Sequence, residues 1–488
     1  MSISRRGFLA ASIGAVALRD ALTPMCADAA VDVQQPAGEL CYLSIRDAAA
    51  RIRARKLSPV ELTQAILARI DQVEPKVHAF ITLTRDVALE AARSAEKEIM
   101  AGRYLGPLHG IPVAVKDTHY TRGIRTTCAS PVLADFVPSF DATVVTRLKN
   151  AGAILMGKTN LPEFSSDSSG NGTNNPWNVT KPTGGSSAGN AAGLGAGMFF
   201  GASGGDTGAS IRGPAALCGV VGLKPTYGRV SGYGVMKLSW SVDHVGPMTR
   251  TVEDNALLLN VLAGHDPEDW ATADVPVPDY TRALRRGVRG MRIGIPKRAL
   301  IEGFHPDELK AFEDASAVFQ KLGARIIEID FPPTLAVMGS AHNIIRICEA
   351  ASYHEPFLAT KAGLYGPTAV RADVEAGALI TAGQYLRAQK IRKIFVKQML
   401  AIFSGFDVLI TPESVPAGEQ TRAVLNPHSP FNDTGFPGMA VPAGFSTSPA
   451  GLPLSIQIVG KPFDEETVYA AGFAYETETP WHEKRPTL

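Results

Sequence analysis

Lys116, Ser186 and Ser210 are the residues of this chain whose types can supply a nucleophile and its base. A serine hydroxyl attacks only when a neighbouring base takes its proton. A lysine is such a base when its amine is neutral, and burial favours that state by penalising the charge. Lys116 directly follows the apolar run Ile111-Pro112-Val113-Ala114-Val115, which reads as a short buried strand. A lysine in that place either snorkels to solvent or is held in a site. The hydroxyls of Ser186, Ser187 and Ser210 lie with the acid Asp206 in a stretch from Pro182 to Val235 that is dense in Gly, Ser and Ala and almost free of charge. That composition suits a flexible linker. Yet Met198-Phe199-Phe200 and the apolar run from Leu217 to Leu223 would gain nothing in solvent. The stretch is therefore buried backbone, with glycines that let main chain approach a ligand and with main-chain N–H groups available for chemistry.

Competing chemistries find less support. The chain has no His-x-His, no HExxH and no cysteine pair, so neither a metal nor another cofactor is expected. GxSxG occurs at Gly185–Gly189 and at Gly201–Gly205, but the nucleophile elbow of a Ser-His-Asp hydrolase needs a strand before it and a helix after it. Asn178-Val179-Thr180-Lys181-Pro182, ahead of the first match, does not read as a strand, and the second runs into Gly204-Gly205-Asp206, which does not start a helix. Gly152 to Thr159 matches the phosphate-loop pattern GxxxxGK[ST], but its apolar strand lies between the glycines instead of before them.

The chain has 488 residues, a net charge of +1 and an apolar share of 45%, the balance of an ordinary soluble globular protein. Nothing in the charge points to nucleic acid or an anionic membrane surface. Ser4-Arg5-Arg6-Gly7-Phe8-Leu9 before a short apolar run reads as a twin-arginine export signal, with Ala27-Asp28-Ala29 as a cleavage site. Residues 1–29 are thus expected to be a signal peptide and the mature protein to be periplasmic or secreted. The apolar run is too short to span a bilayer, so no stable membrane insertion is expected. Cys41, Cys128, Cys218 and Cys348 are widely spaced and read as buried thiols.

Elements of both kinds surround the candidate residues. Ser44 and Ser58 read as helix N-caps, the second with Pro59 at the first helical position and Glu61 completing a capping box, and Pro75 should end that helix. Asp141 should cap a helix over 142–150. Strands are expected at 111–115, 153–156, 291–295, 325–329, 406–410 and 454–459, and helices at 306–322, 335–351, 382–403 and 465–475. Such alternation predicts an α/β layer fold with a largely parallel sheet, and no boundary divides the mature chain.

Six segments, in order, resemble the amidase signature family. They are Val113-Ala114-Val115-Lys116-Asp117, Gly157-Lys158-Thr159-Asn160, Gly184-Gly185-Ser186-Ser187, the run Gly205 to Arg212, the run Gly219 to Thr226, and Gly438-Met439-Ala440-Val441-Pro442. The similarity runs from about Leu43 to the C-terminus. It implies one large domain over residues 40–488, with a mixed, mostly parallel central sheet covered by helices on both faces. It also implies a Ser–cis-Ser–Lys triad of Ser210, Ser186 and Lys116. Neutral Lys116 would take a proton from Ser186, which relays one from Ser210, and Ser210 Oγ would attack an amide carbonyl. The peptide bond before Ser186 would be cis. Main-chain N–H groups of Thr207, Gly208, Ala209 and Ser210 would form the oxyanion hole, each worth about 3 kcal/mol to the transition state. Ser187, Asp206 and Arg212 would position that loop. Two departures stand out: Ala209 where the family usually has glycine, and Ala188-Gly189-Asn190 where it has Gly-Gly-Ser.

The function these features lead one to expect is an exported serine amidohydrolase with a broad small-molecule amide or ester range, acting without nucleic acid. Oligomeric state is left open, a homodimer being one option. The alternatives are a glutamine-amidotransferase A subunit working with a tRNA-binding partner, and a non-catalytic homologue.

Overall fold

Short runs of Val, Ile, Ala and Gly form the strands because their side chains pack on a pleated surface that is buried on both faces. The computed structural model describes residues 37–166, 172–413 and 428–488. The expected signal peptide lies outside these residues. In chain order the strands are β1 (Phe80–Leu83), β2 (Pro112–Lys116), β3 (Ile154–Thr159), β4 (Asn174–Asn175), β5 (Asn178–Pro182), β6 (Gly201–Asp206), β7 (Val221–Lys224), β8 (His244–Thr249), β9 (Arg292–Pro296), β10 (Arg325–Ile329), β11 (Val408–Pro412), β12 (Gly438–Thr447) and β13 (Ala450–Val459). β4 and β5 pair only with each other. The rest form one 11-stranded sheet in the order β1-β3-β2-β6-β8-β7-β12-β13-β11-β9-β10.

Residues 37–488 make one compact α/β unit, with helices flanking the mixed sheet. Parallel pairing is less extensive than the sequence suggested. It joins β2 to β3 and β6, and β9 to β10 and β11. From β6 through β8, β7, β12 and β13 to β11 the pairing is antiparallel. The turn between β12 and β13 is too short for a crossover, so those two strands can only run antiparallel.

Ser44 and Ser58 cap their helices as expected, accepting N–H groups at 2.9 Å from Asp47 and from Val60 respectively, but Glu61 does not complete a capping box, and the Ser58 hydroxyl donates to Glu96. Pro75 does not end its helix, which runs from Pro59 to Val77 and stops at left-handed His78. A proline in the last turn costs only its own N–H bond to the turn before, and beyond the helix end the Glu74 carboxylate receives the N–H groups of Ala79 and Phe80. Asp141 does not cap the helix Thr143–Asn150; it takes the Arg122 N–H and pairs with Lys149. The helix expected to end at Ala351 continues to Lys361.

Candidate active site

Lys116 closes β2, a strand with every residue buried, between two parallel neighbours. This fixes the lysine at the carboxyl end of the sheet, 2% exposed, with Nζ 2.7 Å from Ser186 Oγ. Burial pushes the amine down to about 7, against the pull of Asp243 and Asp206. Near neutral pH a large share of Lys116 is therefore a free base.

Ser186 ends a turn ahead of the helix Ala188–Gly195. The turn runs through Gly184 and Gly185 at φ +64° and +59°. A Cβ on Gly185 would stand 2.5 Å from Pro214, so glycine is needed there on both counts. The expected cis bond before Ser186 is not found: among the described residues the one cis peptide is Ser448–Pro449. The two left-handed glycines make the turn with trans bonds.

The loop that carries the candidate nucleophile leaves the end of β6. Ser210 is half-buried, and its carbonyl accepts the Ser187 N–H at 3.0 Å, which ties it to the segment carrying Ser186. Asp206 organises the loop. Its carboxylate accepts N–H groups from Ala209 at 2.8 Å and Ile211 at 3.1 Å. It also meets Arg212 Nε at 3.0 Å, with both side chains fully buried. Burial alone would raise this carboxyl, but Arg212, Lys224 and Asn432 outweigh it and hold it well below the usual carboxylate range. Ser187 is fully buried, and its hydroxyl bonds both the carbonyl and the N–H of Gly205. Ser187, Asp206 and Arg212 are thus bonded into the loop's own backbone and side chains.

Two expectations about the oxyanion loop change. The Ala209 N–H is engaged by Asp206, so it is not a free donor. The N–H groups of Thr207, Gly208 and Ser210 have no protein acceptor among the described residues. Ala209 also adopts φ +127°, which a side chain disfavours. Ala209→Gly should therefore raise stability by about 1 kcal/mol, read as a higher midpoint in urea. An unchanged or lower midpoint would show that the loop is not strained at this residue.

Several contributors are far apart in sequence and gave no local signal. Arg212 Nη2 donates to Asn432 Oδ1 and Nη1 to Gln457 Oε1, each at 2.6 Å. Asn432 in turn donates to the Asp206 carbonyl at 2.9 Å. Lys158, in the false phosphate-loop match, lies inside β3 and forms a fully buried ion pair with Asp117 at 3.1 Å. This braces the residue after Lys116. Asn190, one of the departures, bonds Thr159 on β3 and the Ser203 carbonyl on β6. β5 does precede the first GxSxG match, contrary to expectation, but that strand belongs to the small sheet and Ser187 is sealed off. In the second match Ser203 lies within β6, 3.0 Å from His119 Nε2, with both residues fully buried and out of reach of a substrate. Phe357 lines a cavity of about 430 Å³. Met236 lines both that cavity and the chamber holding Lys116, Thr207 and Asp243.

Comparison with known proteins fits this geometry. The Amidase family profile matches residues 61–469. The A subunit of a glutamyl-tRNA(Gln) amidotransferase from Carboxydothermus hydrogenoformans is 41% identical over 92% of this chain and 100% of its own length. The structure of the Thermotoga maritima protein of the same name superposes with a TM-score of 0.76 at 33% identity, covering 90% of this chain and 96% of that one. A peptide amidase in complex with the competitive inhibitor chymostatin superposes with a TM-score of 0.81 at 30% identity, covering 91% of this chain and 99% of that one.

These relatives overturn the reading as an exported hydrolase of small-molecule amides that acts without nucleic acid. Relatives matched end to end are named for glutamyl-tRNA(Gln) and as one subunit of an assembly. A reaction on charged tRNA belongs where translation occurs, so a periplasmic or secreted location does not hold either. What survives is the chemistry at the amide bond, and with it the classification: the chain belongs to the amidase family and is an enzyme acting on amide C–N bonds.

Proposed function

We propose that this chain is the glutamine-hydrolysing A subunit of an amidotransferase acting on glutamyl-tRNA(Gln), working with a tRNA-binding partner. The observation that carries the reading is the end-to-end match, 41% identical over 92% of this chain and 100% of the relative. The hydrogen-bonded Lys116–Ser186 pair supports a working site over an idle homologue.

The chemistry assigns the residues as follows. Neutral Lys116 accepts a proton from Ser186, and Ser186 takes one from Ser210. Ser210 Oγ then bonds to the side-chain amide carbon of glutamine. N–H groups of Thr207, Gly208 and Ser210 receive the oxyanion. The relay returns the proton to nitrogen as the C–N bond breaks, because an amide anion is a very poor leaving group. Ammonia leaves for the partner's site, and water attacks the ester on Ser210 to release glutamate.

The test is ammonia and glutamate release from glutamine by the full chain, alone and with the B and C subunits of a relative's complex and Glu-tRNA(Gln). The expected result is glutamine hydrolysis that rises at least about tenfold with the complete assembly, the scale of coupling between linked sites, and conversion of Glu-tRNA to Gln-tRNA. Hydrolysis of unrelated amides with no glutaminase activity and no Gln-tRNA would overturn the proposal.

A further inference from the structure

We propose that Asp243 is a positioning residue for this site, fixing the nucleophile loop to the 238–239 segment and setting a negative charge near Lys116. The inference rests on the Lys116–Ser186–Ser210 chemistry given above. Asp243 directly precedes β8, whose His244 is paired with Asp206 at the end of β6. The antiparallel register therefore brings Asp243 beside Thr207, the first residue of the loop. Asp243 Oδ1 accepts the Thr207 hydroxyl at 2.6 Å. Its Oδ2 accepts the N–H groups of Leu238 at 2.8 Å and Ser239 at 3.1 Å. Those residues adjoin Met236, which lines the chamber as well. One carboxylate thus joins the loop after β6 to the 238–239 segment, and Asp243, Thr207 and Lys116 all line the same chamber.

The charge calls for a reason of its own. All three hydrogen-bond partners are neutral, and among the described residues Asp243 forms no ion pair. An ionised carboxylate held in a closed site by neutral donors carries a desolvation cost. A neutral amide could serve as a clip between the two segments without that cost. Lys116 is the group the charge acts on. The ionisable neighbours of Lys116 are Asp243, Asp206 and Cys128. Asp206 is already matched by the Arg212 guanidinium, and burial keeps the Cys128 thiol protonated. The ionisable groups around Asp243 itself are Lys116, Lys237, Tyr353 and Tyr227. Burial pushes the Asp243 carboxyl up, while Lys237, Thr207 and the two N–H groups draw it back down.

The sign follows from electrostatics. A nearby negative charge favours the ammonium, so it limits how far burial lowers Lys116 and keeps the amine a stronger base. Removing that charge lets Lys116 deprotonate at lower pH and weakens it as a base. The readout is the rate at which a fluorophosphonate labels Ser210 in the full chain between pH 5 and 9, followed with the thermal midpoint of each variant. This reports the activation of the nucleophile whatever its natural substrate.

In Asp243→Asn the acidic limb should move down by about one pH unit and the plateau rate should fall. Thr207→Val releases the loop and leaves the charge, so it should slow labelling without moving the limb. Asp243→Glu keeps the charge on a longer arm; it should hold the limb and lose plateau rate, and it stands in if the asparagine variant does not fold. The inference is overturned if Asp243→Asn labels with the wild-type limb, or if Asp243→Glu shifts it downward. A wild-type chain that is never labelled would remove the Ser210 chemistry and this inference together, a result distinct from a labelled chain whose limb ignores residue 243.

Discussion

Replacing Ser210 with alanine should abolish both glutamine hydrolysis and fluorophosphonate labelling, with a loss of roughly 10⁴- to 10⁶-fold in kcat. In the proposed mechanism Ser210 provides the atom that bonds to the carbonyl carbon, and the two serine hydroxyls nearest to it in the motif are both engaged. Ser187 is sealed and bonded to Gly205. Ser186 is 2% exposed and held by Lys116. The alanine fits the loop without disturbance, because the backbone carbonyl that accepts the Ser187 N–H is retained. Mass spectrometry of the labelled protein would place the adduct on Ser210 in the wild type and find none in the variant. Substantial activity in Ser210→Ala would assign the nucleophile to another residue.

Lys116→Met should cost a comparable factor in rate, while the fold holds. Methionine fills the space of the buried stem, but its thioether is far too weak a base to take a proton, so Ser186 loses its proton acceptor. The wild-type pH profile carries the same message. With Lys116 drawn down to about 7 by burial, the rate should be flat above that value. Below it the rate should fall about tenfold per pH unit as the amine takes a proton. Stability should change over a different pH window. A lysine whose folded value lies below its unfolded one weakens the fold progressively as pH drops from the unfolded value through the folded one. Removing it should therefore leave the thermal midpoint at pH 7 no lower than that of the wild type. Loss of activity together with a lower midpoint would point to a structural lysine. An intact rate would take lysine out of the mechanism.

Most of the candidate site could be read from the sequence because its parts are short and local. Lys116 after an apolar strand, the paired glycines ahead of Ser186 and the Gly205–Arg212 loop each depend on neighbours within a few residues. The polar residues that hold these parts in register could not be read in this way. Asn432 and Gln457 reach Arg212 from the far end of the sequence. Asp243 meets Thr207 through the pairing of β6 with β8. No spacing rule links such residues, since each depends on how the sheet is ordered. The mixed pairing of that sheet is hidden for the same reason. An apolar run marks a strand but not the direction of its neighbour.

The Ala209 N–H shows the limit at its finest scale. The loop is recognisable, but which of its four N–H groups is taken up depends on where the Asp206 carboxylate turns, and Arg212 and Asn432 decide that. Contiguous residue types thus specify the chemical groups, the backbone that presents them and the family. The depth at which Lys116 is buried, the loop amides left without an acceptor and the carboxylates near the amine come from packing. Burial, hydrogen-bond competition and electrostatic distance are properties of packed surfaces, and they arise only when strands remote in the chain lie side by side.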